Sequence, residues 1–279
     1  DLQQPQALDA PGIAERLPPI IHHAMFLTSF LGENYLWIDE LCIPHHDDEA
    51  RTQQLEMMGA IYANAIITII SADGDACDGI RGMKGVSERR ELRQVVVPFG
   101  KERLILRNTE TDDMYCGLPY YDRGWTYQEY LLSARSIIFI DETYFWECQC
   151  AIWCAESSTL ENSDRRTVHH TRYDPDPSYN DWSHRFNGDQ QRALPSFPLP
   201  DLGLYIELIC QYNVRDLRFP QDELPAFSGV LDSLTQSMFP GGFVGALPNL
   251  FLNSALLWQP LRKGSRRDTR KQRNGSVAG

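Results

Sequence analysis

Apolar residues recur at helical spacing from Pro18-Pro19 to about Leu31, with Ile20, Ala24, Leu27 and Leu31 on one face and Gly32 as a stop. The pattern then tightens. Tyr35–Ile43 is short, apolar and bounded by turn signals, which predicts a buried strand. In such a strand Trp37 is core, and its truncation to Ala costs about 3–5 kcal/mol. Asp47 and Asp48 lead into a second helix that carries Leu55, Met58, Ile61, Tyr62 and Ala65 at helical spacing. It runs into Ala65–Ile70, rich in β-branched residues and predicted as another buried strand. Helix, strand, helix, strand with nearly continuous apolar strands predicts an α/β fold whose parallel sheet is covered on both faces.

After Ser71 the texture changes. Gly79, Gly82 and Gly85 mark a loop-rich stretch, and Arg93–Phe99 with Arg103–Arg107 predicts an antiparallel hairpin turning at Gly100-Lys101. Tyr121–Trp125 reads as a loop before a helix over about Thr126–Leu132. Ser136–Ile140 and Thr143–Cys148 predict a second hairpin around Asp141-Glu142. Residues 155–200 are polar and Pro-containing and read as a long mobile insertion. A mostly helical C-terminal region follows over 201–260, with helices expected at Leu202–Tyr212, Asp222–Met238 and Leu250–Trp258. No internal repeat is visible.

Charge narrows the partners. The chain carries −12 overall, but Arg262–Arg273 holds seven basic residues against Asp268, leaving 19 basic and 37 acidic residues elsewhere. So acidic a body repels nucleic acid and anionic membrane. The segment 261–279 reads as a disordered basic tail, with nuclear import or phosphate binding as its functional alternatives. No uncharged apolar run approaches the roughly 18 residues of a membrane span, and no signal peptide is visible ahead of Pro18. The expected setting is therefore cytoplasmic, or nuclear by way of the tail. Seven cysteines, an odd number, fit reduced thiols. Cys148-x-Cys150-x3-Cys154 lacks the second ligand pair of a thiolate zinc site, with His169-His170 the one candidate complement, and His45-His46-Asp47-Asp48 is too crowded to converge on an ion. No metal site is expected.

Two acids stand out. Asp39 interrupts the apolar run at 35–43, at the kind of strand end where open α/β sheets bind ligands; the alternative is a helix cap or an arginine pair. Glu129 follows Arg123, Trp125, Tyr127 and Gln128, an aromatic and polar cluster suited to a small-molecule cleft. Its alternative is compensation of a helix dipole, worth about 0.3–1 kcal/mol. The chain contains no GxxxxGK[ST], G-x-S-x-G, H-E-x-x-H or strand-borne GxGxxG, which disfavours a P-loop nucleotidase, an α/β-hydrolase and a zinc protease.

Several of these stretches together resemble the fungal heterokaryon-incompatibility (HET) domain family: Leu36-Trp-Ile-Asp-Glu-Leu-Cys-Ile43, Met58-Gly-Ala-Ile-Tyr62, Arg123-Gly-Trp-Thr-Tyr-Gln-Glu129, Leu132-Ser-Ala-Arg135 and Trp146-Glu-Cys148. Tyr212–Leu217 and Asp222–Gly229 are similar to the stretch beyond the domain in that family. The resemblance runs from about Leu17 to Trp258, with the domain itself at 17–154. Two features depart from the family pattern. Pro44-His45 stands where Gln is usual, and nothing ahead of Leu17 matches the usual opening strand, so the expected sheet is one strand short.

The family is considered distantly related to TIR domains, several of which cleave NAD. Their catalytic Glu lies in a W-C-x-x-E helix motif, and Trp125-Thr-Tyr-Gln-Glu129 keeps the Trp-to-Glu spacing with Thr126 in place of Cys. The resemblance implies a TIR-like parallel sheet flanked by helices, with the hairpins added. It implies Glu129 as catalytic carboxylate and Asp39, Arg123, Trp125 and Gln128 as lining residues around NAD, a substrate rather than a bound cofactor. The implied role is non-self recognition leading to cell death. The rival expectation is a non-catalytic signalling module acting by self-association or through other cell-death proteins.

Overall fold

In the computed structural model the described residues are 12, 14–44, 46–90, 95–106, 117–140, 143–148, 151–154 and 199–257. The lead-in before Gly12, His45, Cys116, Cys150, His169-His170, the insertion over 155–198 and the basic tail lie outside them.

Helix α1 (Pro19–Phe30) starts on Pro18-Pro19, where a missing N–H costs nothing, and ends at Gly32 (φ +80°), whose N–H donates to the Ser29 carbonyl at 3.0 Å. Residues 33–38 then run as irregular chain, and Asp39–Cys42 forms a one-turn helix, α2. The strand predicted over 35–43 is not formed. Trp37 and Ile38 are only half-buried and Tyr35 is 94% exposed, so this apolar run covers a surface and does not thread a sheet. Periodicity cannot separate those two fates for so short a run. Helix α3 (Asp48–Asn64) is capped as its sequence predicts, Asp47 accepting from the Glu49 and Ala50 N–H groups at 3.0 Å each.

The main sheet joins β1 (Thr68–Ser71), β4 (Arg135–Ile140), β5 (Thr143–Cys148) and β6 (Ala151–Cys154) in the order β1-β4-β5-β6. Only β1 and β4 are parallel, with Ile70 beside Ile138; the other pairs are antiparallel. The fold is thus mixed α/β, with a small parallel/antiparallel sheet in place of the expected parallel one. The parallel partner of β1 is the strand after Glu129's helix, not the run at 35–43. Strands β2 (Val95–Phe99) and β3 (Glu102–Leu106) form the predicted separate hairpin around Gly100.

Alternation along the strands divides the core. Ile69, Ile137 and Phe139 face α1 with Ile80 and Met83, while Ile70, Ile138, Ile140 and Phe145 face Tyr121 and Tyr130. Those two tyrosines come from α4 (Pro119–Asp122) and α5 (Thr126–Leu132). Helix α5 is wedged between layers. Tyr130 packs on the sheet, and Tyr127 and Leu131 join the third cluster with α6 (Leu202–Asn213) and α7 (Pro225–Ser237). The C-terminal helices therefore share a core with α5. The last predicted helix shrinks to a 3-10 turn, Asn249–Phe251, and a one-turn helix, Leu252–Ala255. Among the described residues no helix is long and apolar enough to cross a membrane.

Candidate functional site

Three helices meet behind the sheet with almost no space between them. A Cβ on Gly59 of α3 would lie 2.6 Å from the Gly229 Cα of α7, and one on Gly229 would lie 2.7 Å from the Gly59 Cα. Only glycines allow that approach. Gln128 of α5 closes the crossing: it is 0% exposed, and its Oε1 accepts the Gly229 N–H at 3.2 Å. Leu132, one turn on, packs on the same glycines.

Glu129, the neighbour of Gln128, faces another way. It is 9% exposed, and its carboxyl accepts a hydrogen bond from the hydroxyl of Tyr62 on α3. Burial, and next the negative charge of Asp39, push its pKa up to about 7, against the opposing pull of Arg123, the Tyr62 bond and Arg215. Burial and the same carboxyl raise the Tyr62 phenol. Glu129 can therefore hold or release a proton near neutrality.

A cleft of about 440 Å³ opens beside this group, lined by Asp39, Glu40 and Ile43 from the α2 segment, Arg51 and Leu55 from α3, and Arg123. Two carboxylates, Asp39 and Glu40, line it directly; Asp39 is exposed at the start of α2, where its Oδ1 accepts the Glu40 N–H at 2.8 Å. Asp39 thus stands at no strand end: it lies in the first turn of α2 and lines the cleft. Glu129 stands a layer deeper, tied to the cleft through Asp39 and Arg123, which both act on its charge. Arg51 pairs with Asp48 at 2.9 Å, while the exposed Arg123 forms no ion pair among the described residues.

The site residues expected from the sequence thus fall into two groups. Asp39, Arg123 and Glu129 come together. Trp125 and Gln128 turn toward the C-terminal helices, Trp125 donating its indole N–H to Asp222 Oδ2 at 3.1 Å. Both serve the helix packing that orients α5. Tyr62 was legible in the sequence only as one more apolar-face residue of α3. Its hydroxyl, among Leu55, Met58 and Ile61, was the one polar atom on that face.

The turn into α5 is held from outside the helix. Gly124 N–H donates to the Asp216 carbonyl at 2.7 Å, and Asp216 N–H to the Asp122 carbonyl at 2.6 Å, a two-residue parallel bridge between Arg123 and Asp216. A Cβ on Gly124 would strike the Leu217 side chain. Thr126 points its hydroxyl back at the carbonyls of Tyr120 and Arg123, the latter at 2.7 Å. Among the described residues no group of three or more His, Cys, Asp or Glu side chains could hold a metal ion.

Comparison with known proteins adds one finding. Residues 1–129 match the family model described as Heterokaryon incompatibility protein (HET). That stretch opens ahead of Leu17 and reaches the buried carboxylate at its last residue. No curated protein and no solved structure matches the chain.

Proposed function

We propose, on the premise that residues 1–129 form a heterokaryon-incompatibility domain, that this protein serves an incompatibility or cell-death role by hydrolysing NAD at Glu129. The domain suggests the role. The chemistry is carried by one observation: a buried carboxyl with a raised pKa beside a cleft whose walls supply two further acids, Asp39 and Glu40, and the cationic Arg123.

In NAD hydrolysis the C1′–N bond between ribose and nicotinamide breaks, and its electron pair neutralises the pyridinium nitrogen. Positive charge builds on the ribose, and water adds at C1′. The ionised Glu129 stabilises that charge and accepts the water's proton; the neutral leaving group needs no acid. In this reading Asp39 accepts hydrogen bonds from ribose hydroxyls and Arg123 meets a phosphate, both from the cleft lining. A TIR-like ancestry of the domain fits this assignment, as does the four-residue step from Trp125 to Glu129.

The test is nicotinamide release from NAD by concentrated or artificially clustered protein. Glu129→Ala should lower it by about 100-fold or more, and an unchanged rate removes Glu129 from the reaction. Because the ionised form is the active one, release should climb as pH rises through about 7. One observation favours the rival reading, a module that works by self-association: the β2–β3 hairpin leaves Val97, Phe99 and Leu104 exposed, Phe99 at 67%. If that reading holds, Phe99→Ser disperses oligomers while nicotinamide release is absent throughout.

A further inference from the structure

We infer that Arg215, which lies 86 residues beyond the end of the family match, is a positioning residue of the Glu129 site, clamping the Arg123–Thr126 turn from the C-terminal region. The inference rests on the reading of Glu129 as the reactive acid, and goes beyond it by assigning a working part to a segment outside the HET domain. Arg215 comes just after Val214, the residue that ends α6, and is half-buried. One guanidinium nitrogen donates to the Arg123 carbonyl and to Thr126 Oγ1, both at 3.3 Å, and the cation lies 4.7 Å from the centre of the Tyr127 ring. No carboxylate pairs with it among the described residues.

That arrangement suits a guanidinium better than an ammonium. One guanidinium nitrogen carries two N–H groups for the two oxygens of the turn, and the flat delocalised cation can lie over the ring at the same time; a compact, strongly hydrated ammonium holds such a combined geometry poorly. The two oxygens belong to the residues that aim Arg123 toward the cleft and start α5. Asp216, next in the chain, holds the same turn through the bridge to Gly124. The groups that act on the Glu129 charge come from four segments: the neutral hydroxyl of Tyr62 on α3, Asp39 of α2, Arg123 of the turn, and Arg215. Two are cationic, and one of those two keeps the other in place.

The experiment uses the full chain in four forms: wild type, Arg215→Met, Arg215→Lys and, as a control from the same segment, Arg218→Met, whose cation lies on Phe219 instead. The Glu129 carboxyl is titrated by NMR, and nicotinamide release is followed against pH. Arg215→Met should raise the Glu129 midpoint by about half a unit or more and cut release roughly tenfold even above that midpoint. Arg215→Lys should restore the midpoint but not the release rate, because charge returns without the flat group that lies over the Tyr127 ring. Arg218→Met should match wild type in both. A midpoint and a rate unchanged in Arg215→Met would overturn the inference. If Arg215→Met does not fold, Arg215→Lys decides, and a wild-type rate in it overturns the clamp. Should wild type release no nicotinamide, the hydrolytic reading falls. The Glu129 midpoint in the Met variant then settles Arg215 alone.

Discussion

On one side of Glu129, α3, α5 and α7 meet with glycine backbones in contact and Gln128 sealed between them. On the other, the α2 segment leaves Asp39 and Glu40 exposed along an open cleft, and the chain before it pairs with no strand among the described residues. The two walls do different jobs. The glycine crossing fixes where α5 lies and hence where its carboxyl sits, and the Tyr127–Phe227–Tyr212 ring stack behind it adds to the hold. The α2 wall supplies charge and access. Glu129's pKa joins them, since its largest cause is burial from behind and the next is Asp39 from in front.

Breaking the packed wall should cost most. Gly229→Ala puts a methyl group 2.7 Å from the Gly59 Cα and 2.8 Å from Gln128 Oε1. Backbone cannot swing aside as a side chain can, so the helices must separate. Destabilisation of about 3 kcal/mol or more is expected in urea unfolding, although an alanine in a helix otherwise gains about 1 kcal/mol. A net change near zero would mean that the crossing is loose and does not fix α5.

Next in size is the carboxyl itself. Its pKa is about 7 in the folded protein against an ordinary value of 4.5. The folded state therefore binds more protons than the unfolded chain between those values, and stability falls as pH rises across that window. The ionised Glu129 should thus cost about 3 kcal/mol at pH 8 relative to pH 4. Glu129→Gln should remove this cost, leaving a variant more stable than wild type at pH 8 and level with it at pH 4. Parallel pH–stability curves for the two proteins would show the carboxyl to be solvated.

The sequence carried the packed wall better than the open one. Capping at Asp47, the stop at Gly32, the hairpin at Gly100 and the helix bearing Glu129 were all written in local signals, and those elements formed. Asp39 and Glu129 stood out as acids in unusual settings, and the structure brings Asp39 and Arg123 close enough for both to act on the Glu129 charge. Three things were not legible. The apolar run at 35–43 has a strand's composition, and only the choice of a partner for β1 decides its fate; that partner is β4, about 65 residues on. Gln128 and Trp125 have cleft-like chemistry, but helix rotation turns them toward α7 and Asp222. Gly59 and Gly229 carry no mark of their mutual contact, since 170 residues separate two ordinary helical positions.

Trp37 gives the smallest and most discriminating test, because it stands where the two walls touch. A buried strand position would make Trp37→Ala cost about 3–5 kcal/mol. Here the indole is half-buried and meets the Tyr62 ring edge-on, with centroids 5.6 Å apart. Partial burial together with one aromatic pair predicts a loss nearer 1–2 kcal/mol. The loss should not come alone. Tyr62 donates to the Glu129 carboxyl and so favours its charged form. Removing the indole frees the phenol ring to shift, and the Glu129 midpoint should move upward with the small loss of stability. A large loss with no movement of the midpoint would instead show Trp37 to be core, with the α2 wall as closely packed as the glycine crossing behind it.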